Sequence, residues 1–452
     1  MSARKPLQGL TSALKDRLIQ ESLQRRLRQV APEEQARSAI AAEPAHSPNQ
    51  VPDSWCRFDL HPGYQQLRIL SEGAARLGIG NPYFREHQGV ASATTVIGGE
   101  TFINYSSYNY LGLAGHPAVN AAAKAAIDRY GTSASASRLV SGERPLHREL
   151  ERELAALHGV DDAVVFVSGH ATNLSTIGTL LGPKDLLAHD ALIHNSAVLG
   201  GQLSGARRLP FAHNDWRALD ALLTDCRLEY ERVLIVLEGI YSMDGDFPDL
   251  PRFIEVKRRH RAFLMVDEAH SLGVLGERGL GIQEHFALEG RDVDIWMGTL
   301  SKTLASCGGY IAGERALIEH LKCAAPGFVY SVGMPPPAAA AALAALRLLQ
   351  AEPERARALG LRGRQFLEAA RSAGIDTGSS AGLSIVPAIT HSSLKAARLA
   401  EALRRRRINV QPIVYPAVAE RSARLRFFVS SEHTEAQIRS TVEALAEEWR
   451  AL

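Results

Sequence analysis

Residues 263–270 read Phe-Leu-Met-Val-Asp-Glu-Ala-His, and residues 295–303 read Ile-Trp-Met-Gly-Thr-Leu-Ser-Lys-Thr. Each stretch is an apolar run that stops at residues able to do chemistry. Such a run, without alternation, reads as a strand buried on both faces, as in a parallel sheet covered by helices. Open α/β sheets bind their ligands past the carboxyl ends of their strands, where Asp267 and Lys302 both fall. A desolvated carboxylate at Asp267 needs a cationic partner, and a protonated ring nitrogen serves. His270, three residues on, is placed to donate to a phenolic oxygen. Lys302 sits among small, apolar and hydroxyl residues that continue to Gly308-Gly309. Loss of hydration in such a setting lowers the ammonium pKa and leaves a usable amine nucleophile or base.

Outward from these two stretches the same pattern repeats. Apolar runs at 163–167, 233–237, 263–266, 295–297 and 310–312 alternate with helix-like segments, which predicts an α/β layer with a mostly parallel central sheet. Pro335–Pro337 precede an Ala/Leu-rich stretch at 338–349 that reads as a long buried helix. It leads to a smaller C-terminal α+β domain with candidate strands at 383–389 and 424–429 and a closing helix at 435–450. At the other end Leu7, Leu10, Leu14, Leu18, Leu23, Leu27 and Val30 recur at roughly helical spacing beside Arg25, Arg26 and Arg28. This reads as an amphipathic arm that packs on its own body or a second subunit, or docks a carrier protein or membrane surface. A linker rich in Ala, Pro and Ser spans 41–54. The expected division is an arm and linker at 1–55, an N-terminal segment at 56–110, a large domain at 111–335 and a small one at 336–452.

Composition narrows the class. The 452 residues are 46% hydrophobic and 22% charged, which excludes disordered and collagen-like chains. Lys+Arg 51 against Asp+Glu 49 leaves no strong field for nucleic acid or an anionic membrane. Cys56, Cys226, Cys307 and Cys323 lie far apart with no CxxC spacing, which suits a reducing cytosol and excludes a zinc finger. No apolar run is long enough to span a membrane and no signal-peptide core is visible, so a soluble, cytoplasmic protein without a transmembrane segment is expected.

Two familiar strings mislead. Asp267-Glu268-Ala269-His270 spells a helicase box, but the chain contains no Gly-Lys dipeptide and so no phosphate loop to go with it. Gly378-Ser379-Ser380-Ala381-Gly382 fits a hydrolase elbow, yet the strand-like run follows it instead of preceding it. No metal-ligand spacing is present.

Two further segments complete the chemistry. Ser168-Gly169-His170-Ala171-Thr172-Asn173 joins a strand to a helix, where free backbone N–H groups hold an anion such as phosphate. His194-Asn195-Ser196 follows Ala188-His189-Asp190, and the flat imidazole of His194 can stack on a flat cofactor. A Schiff-base lysine, a carboxylate for a pyridinium and a phosphate cradle are together what pyridoxal 5'-phosphate (PLP) requires.

Roughly residues 80–450 resemble the α-oxoamine synthases, fold-type I PLP-dependent transferases that include serine palmitoyltransferase and 8-amino-7-oxononanoate synthase. The matching stretches are YSSYNYLGL at 105–113, GTSASASRLVSG at 131–142, EGIYSMDGD at 238–246, VDEAHSLG at 266–273, GTLSK at 298–302 and RLRFFVSSEH at 424–433. The resemblance implies that Lys302 carries the cofactor and removes the Cα proton, that Asp267 pairs with the pyridine nitrogen, that His194 stacks on the ring and that His270 contacts the phenolic oxygen. Ser242 lies in a cofactor-contacting stretch, and Gly169, His170 and Thr299 fall where phosphate is held. His170 replaces the family's usual aromatic residue. Tyr330-Ser331 matches a stretch that reaches the neighbouring subunit's phosphate, which implies a homodimer with shared sites. Arg426 matches the arginine that grips the amino acid's carboxylate, a task for bidentate guanidinium pairing.

The implied reaction is decarboxylative condensation of serine, alanine or glycine with an acyl-CoA or acyl-carrier protein, giving an α-amino ketone, CO2 and free thiol. Histidines near the thioester carbonyl, His194 foremost, would stabilise its oxyanion. Tyr108 stands at the family's substrate-contacting Asn position, as in serine palmitoyltransferase-like members, and tilts the acyl group toward a long chain. The rivals are a fold-type I aminotransferase or amino-acid decarboxylase, and a non-catalytic partner subunit, against which Lys302 speaks.

Overall fold

The computed structural model describes residues 51–76, 78 and 80–451 and divides the chain into two compact units, 1–78 and 79–452. The leucine-spaced arm at 7–30 and the linker up to residue 50 lie outside the described residues. In the first unit a short helix, Asp53–Cys56, precedes a longer one, Pro62–Arg76. The longer helix buries no residue, and it carries the i,i+4 pair Arg68–Glu72 at 2.7 Å.

The second unit is built on a seven-stranded sheet. Before it come the hairpin strands β1 (Thr94–Ile97) and β2 (Glu100–Asn104). The large-sheet strands are β3 (Asp162–Phe166), β4 (Leu186–Asp190), β5 (Arg207–Phe211), β6 (Val233–Glu238), β7 (Phe263–Asp267), β8 (Ile295–Thr299) and β9 (Gly309–Gly313). Their order is β3-β9-β8-β7-β6-β4-β5, and every neighbour pair is parallel except the two that involve β9. Residues after the other six strands therefore gather at one edge. The five runs expected from the sequence all appear here, while β4 and β5 went unrecognised. In β5, Arg207, Arg208 and Pro210 hide the apolar signal, and an edge strand tolerates all three.

Burial of both faces explains the unbroken apolar runs. Val233, Ile235 and Leu237 of β6 join one core cluster, with Leu264, Val266 and Trp296. Leu234 and Val236 point the other way and pack with Met265, Ile295, Met297 and Ile311. Helices cover these faces, among them α1 (Pro117–Tyr130), α2 (Pro145–His158), α3 (Gly169–Leu180), α4 (Asn195–Ser204), α5 (Arg315–Ala324) and α6 (Pro336–Ala351). The last of these is the buried alanine-rich helix expected at 338–349, and it packs on α1 and α2.

A second, three-stranded antiparallel sheet has the order β10 (Ile385–Ile389), β13 (Arg424–Phe428), β12 (Gln411–Ile413). A third sheet pairs β2 with β1 and with β11 (Ile408–Asn409). The helix α7 (Glu435–Arg450) ends the unit within the bounds read from the sequence, capped by Thr434. Residues 378–382 form a turn ahead of β10, which removes the hydrolase-elbow geometry.

One buried ion cluster pins the GTSASASRLVSG segment to this framework. Glu151 on α2 has no exposure and accepts from Arg138, Arg148 and Lys322 and from the Val165 amide of β3. Arg138 begins a π-helical turn, Arg138–Gly142. Burial alone would raise the Glu151 carboxyl, but the Arg138 guanidinium overrides it and holds the pKa below the ordinary 4.5. The cluster's contribution to stability is thus present above that pH and lost as pH falls below it. Glu151→Gln leaves buried cations without their counter-charge. It is expected to cost about 3 kcal/mol, read by urea unfolding at neutral pH, with the gap to wild type narrowing in acid.

Candidate active site

The carboxyl edge of the large sheet brings the site together. Ser168, Gly169 and His170 follow β3, His194 follows β4, and Ser242 follows β6. Asp267 ends β7 with His270 just after it, and Thr299 ends β8 with Lys302 just after it. Segments far apart in the chain meet because the strands run parallel, each delivering its last residue to the same edge.

Asp267 is buried, and both its oxygens are engaged. Oδ1 accepts from the Ala269 amide at 2.9 Å, and Oδ2 accepts from Asn173 Nδ2 at 2.9 Å. Its register partner on β6 is Glu238, also buried. Burial and the neighbouring Asp267 push the Glu238 carboxyl up to about 8. Glu238 accepts from the His194 amide at 2.7 Å and the Ser242 amide at 3.3 Å. It thereby ties together the segments that follow β4 and β6.

Lys302 lies near both carboxylates. Burial lowers its ammonium to about 8, while Asp267 and Glu238 pull it upward. Its Nζ lies 5.5 Å from the centre of the Tyr108 ring, which in turn meets Phe428 edge-on at 4.8 Å. His270 Nδ1 is 2.8 Å from the Tyr110 hydroxyl, leaving Nε2 for another partner. Burial, with Lys302, Arg426 and His194 nearby, holds His270 well below its ordinary pKa. Burial also lowers His194, against the pull of Asp267.

Donors able to hold an anion stand at the start of α3. The Gly169 and His170 amides open α3 without an acceptor among the described residues, free donors at a helix start. A Cβ at Gly309 would lie 2.7 Å from the Gly169 Cα, so glycine there lets α3 approach the sheet. Thr299 Oγ1 donates to the Gly308 carbonyl at 3.0 Å and accepts from the Ser301 amide at 3.2 Å, so the hydroxyl shapes the Lys302 turn. The ring of His170 is exposed and meets that of His194 edge-on at 6.5 Å. No hydrogen bond among the described residues brings Ser331 to this cluster; its hydroxyl donates to Val332 O, and Tyr330 beside it is 86% exposed.

The EGIYSMDGD loop is held by cations. Arg424 of β13 donates to Asp244 at 2.6 Å and to the Met243 carbonyl at 3.0 Å. His213 bridges Asp190 at 2.9 Å and Asp246 at 3.0 Å. Burial opposes its charge, but the two carboxylates prevail and raise its pKa to about 10. Arg426 donates through Nη1 to the Ser242 carbonyl at 2.9 Å and lies 4.6 Å from the centre of the Phe428 ring. Its Nε is buried without a partner, and with Nη2 it forms the fork that matches a carboxylate.

The donor set fits PLP: an amine of lowered pKa, a buried carboxylate, imidazoles and unpaired helix-start amides at one edge of the sheet. Reading the sequence did not single out Asn173, Ser196, Glu238 or Tyr110. All four stood inside motifs that it had quoted, but spacing along a chain does not reveal which side chains meet across strands.

Comparison with known proteins agrees. Residues 100–445 match the family model "Aminotransferase class I and II". The chain is 42% identical to an 8-amino-7-oxononanoate synthase of Cellvibrio japonicus over 78% of its length and 88% of that protein's. It is 44% identical to one of Methylobacterium nodulans over 77% of its length and 88% of that protein's. Its fold is similar to a serine palmitoyltransferase of S. paucimobilis solved with a bound PLP–myriocin aldimine, with a TM-score of 0.83, 30% identity, 87% of this chain and 99% of that one. The chain therefore belongs to the α-oxoamine synthases of the class I and II aminotransferase family, and it is a PLP-dependent acyltransferase.

Proposed function

We propose that the chain condenses L-alanine with the thioester of a seven-carbon dicarboxylic acid, releasing CO2 and the free thiol and leaving an α-amino ketone that ends in a carboxylate. The observation that carries this reading is the 42% identity to an 8-amino-7-oxononanoate synthase over 88% of that protein. That name describes a nine-carbon acid with an amine at carbon 8 and a ketone at carbon 7. Alanine and a seven-carbon diacid, less one carbon as CO2, yield that skeleton. Serine with a long-chain acyl thioester is the second reading, favoured by the fold match to serine palmitoyltransferase and by Tyr108 beside Lys302. Glycine is the remaining small amino acid. The thiol is that of coenzyme A or a carrier protein.

Lys302 carries PLP in this reading, Asp267 faces its ring nitrogen, His194 stacks on the ring and His270 meets its phenolic oxygen. Gly169, His170 and Thr299, with Ser331 from a second copy, surround the phosphate, and Ser242 contacts the cofactor. Bound PLP supplies an electron sink for the amino acid's Cα. The Lys302 amine, at about 8, is matched to moving the Cα proton near neutral pH. The Nε–Nη2 fork of Arg426 grips the α-carboxylate and so orients the bonds at Cα. His194 donates to the thioester oxygen, where charge gathers as the new C–C bond forms and the C–S bond breaks. Tyr108 walls the amine side of the pocket.

The working unit in this reading is a cytoplasmic homodimer with shared sites, each chain divided into a large domain at 111–335 and a small one at 336–452. Support comes from Tyr330, 86% exposed, and Val140, 77% exposed on a turn whose Ser137 hydroxyl donates to Val329 O. All four cysteines are unpaired, as a reducing compartment requires. No helix among the described residues is long and apolar enough to cross a membrane.

Titrating the PLP-loaded protein should shift its visible absorption at lower alanine concentrations than serine or glycine, and CO2 should appear only once thioester is added. Serine responding first, with turnover of long-chain thioesters alone, would overturn the alanine reading in favour of the second. CO2 released without thioester would make the chain a decarboxylase. Lys302→Ala should abolish turnover. Arg426→Lys should raise KM for the amino acid by on the order of tenfold or more, as a charge-assisted pair worth about 2 kcal/mol is weakened, with KM for the thioester little changed. Sedimentation should give twice the chain mass, and a monomer that turns over would refute the shared site.

A further inference from the structure

Asp267 and His194 belong to different strand ends, yet an unbroken run of hydrogen bonds joins them. Asn173 Nδ2, on α3, donates to Asp267 Oδ2 at 2.9 Å and to Ser196 Oγ at 2.9 Å. Ser196 Oγ, on α4, lies 2.6 Å from His194 Nδ1, and the Ser196 amide points to the same nitrogen at 3.3 Å. Asn173 and Ser196 are both buried. Their helices pack closely enough for this because α4 carries Gly200, where a Cβ would lie 3.0 Å from the Asn173 carbonyl oxygen.

Counting protons along the run fixes every direction. A carboxylate accepts, so the Asn173 amide must present its NH2 to Asp267, although this leaves Asn173 Oδ1 buried without a partner. The second proton of that NH2 goes to Ser196 Oγ, which therefore accepts. The hydroxyl's own proton has one acceptor in reach, His194 Nδ1. That nitrogen receives the Ser196 amide as well, so it holds a lone pair and the ring proton sits on Nε2.

We infer that Asn173 and Ser196 are positioning residues that hold His194 as the neutral Nε2–H tautomer and so present a hydrogen-bond donor to the thioester. The inference rests on the reading of His194 given above and deepens it. The charged and titratable groups around the imidazole are Asp267 on β7, Glu238 on β6, Lys302 after β8, His170 on α3 and Arg426 on β13. Asp267 favours a charged ring, while Lys302, His170 and Arg426 oppose it. The hydroxyl acts with the second group. Protonating Nδ1 would turn the Ser196 proton away from its acceptor and leave it unpaired in a buried place.

The test is nitrogen-15 NMR of histidine-labelled full-length protein, without and with PLP, the His194 signals being identified by difference from His194→Gln. The expected result is a bare Nδ1 and a protonated Nε2 from about pH 6 to about pH 8. Ser196→Ala should mix the tautomers, move the acid limb of the kcat–pH profile to higher pH and lower kcat by on the order of tenfold, short of the ~10²–10³ for losing the donor itself. Ser196→Thr, which keeps the hydroxyl, should restore the wild-type limb. A proton on Nδ1 in the wild-type protein overturns the inference even if no variant folds. The expected tautomer together with an unchanged Ser196→Ala profile overturns His194 as the donor while leaving its ring state established.

Discussion

Glu238 and Asp267 end neighbouring parallel strands as register partners, both nearly without exposure, and two carboxylates so placed cannot both stay ionised without help. The arrangement divides the burden between them. Glu238 rises to about 8 through burial and its neighbour, and it spends its oxygens on two backbone amides. Asp267 takes an amide and the Asn173 side chain. Lys302 supplies the opposing charge, yet burial keeps its amine near 8. The acidic and basic groups are thereby drawn toward the same pH, the condition under which an amine can give and take a proton at little cost.

That pair also sets the shape of what surrounds it. Through Glu238 the sheet edge is bonded to the His194 amide on one side and to the EGIYSMDGD loop on the other. Arg424 and His213 then grip that loop through Asp244 and Asp246. Arg426, two residues beyond Arg424 on the same strand and so on the same face, is steered by the Ser242 carbonyl. Its Nε–Nη2 fork is left over for a ligand. The buried but unpartnered Nε has a physical cost that a bound carboxylate would remove.

The strands that could be read beforehand, β3 and β6 to β9, have two faces that both join a core and apolar runs without interruption, whereas β4 is buried on both faces too but His189 and Asp190 cut its apolar run short. The edge strand β5, with Arg207, Arg208 and Pro210, has no such constraint and reads as a loop. The antiparallel direction of β9 was equally hidden, because Tyr310-Ile311-Ala312 is the same string whichever way it pairs. For the candidate site, Lys302, Asp267, His270, His194 and Arg426 stand out in the sequence by residue type beside an apolar run or by family motifs. Their supports, Asn173, Ser196, Glu238 and Tyr110, do not.

The amino-acid sequence by itself determined the α/β class and the PLP chemistry and singled out Lys302, Asp267, His270 and His194 as candidates, since burial patterns and reactive groups are local properties of a chain. Only the tertiary structure decided which of those residues are held, and by what. Asn173 meets Asp267 across 94 positions and Arg426 meets Ser242 across 184. The direction of a hydrogen bond, the tautomer of a ring and the pKa of a buried carboxyl all depend on such neighbours, and they come into being when parallel strands deliver distant residues to one edge.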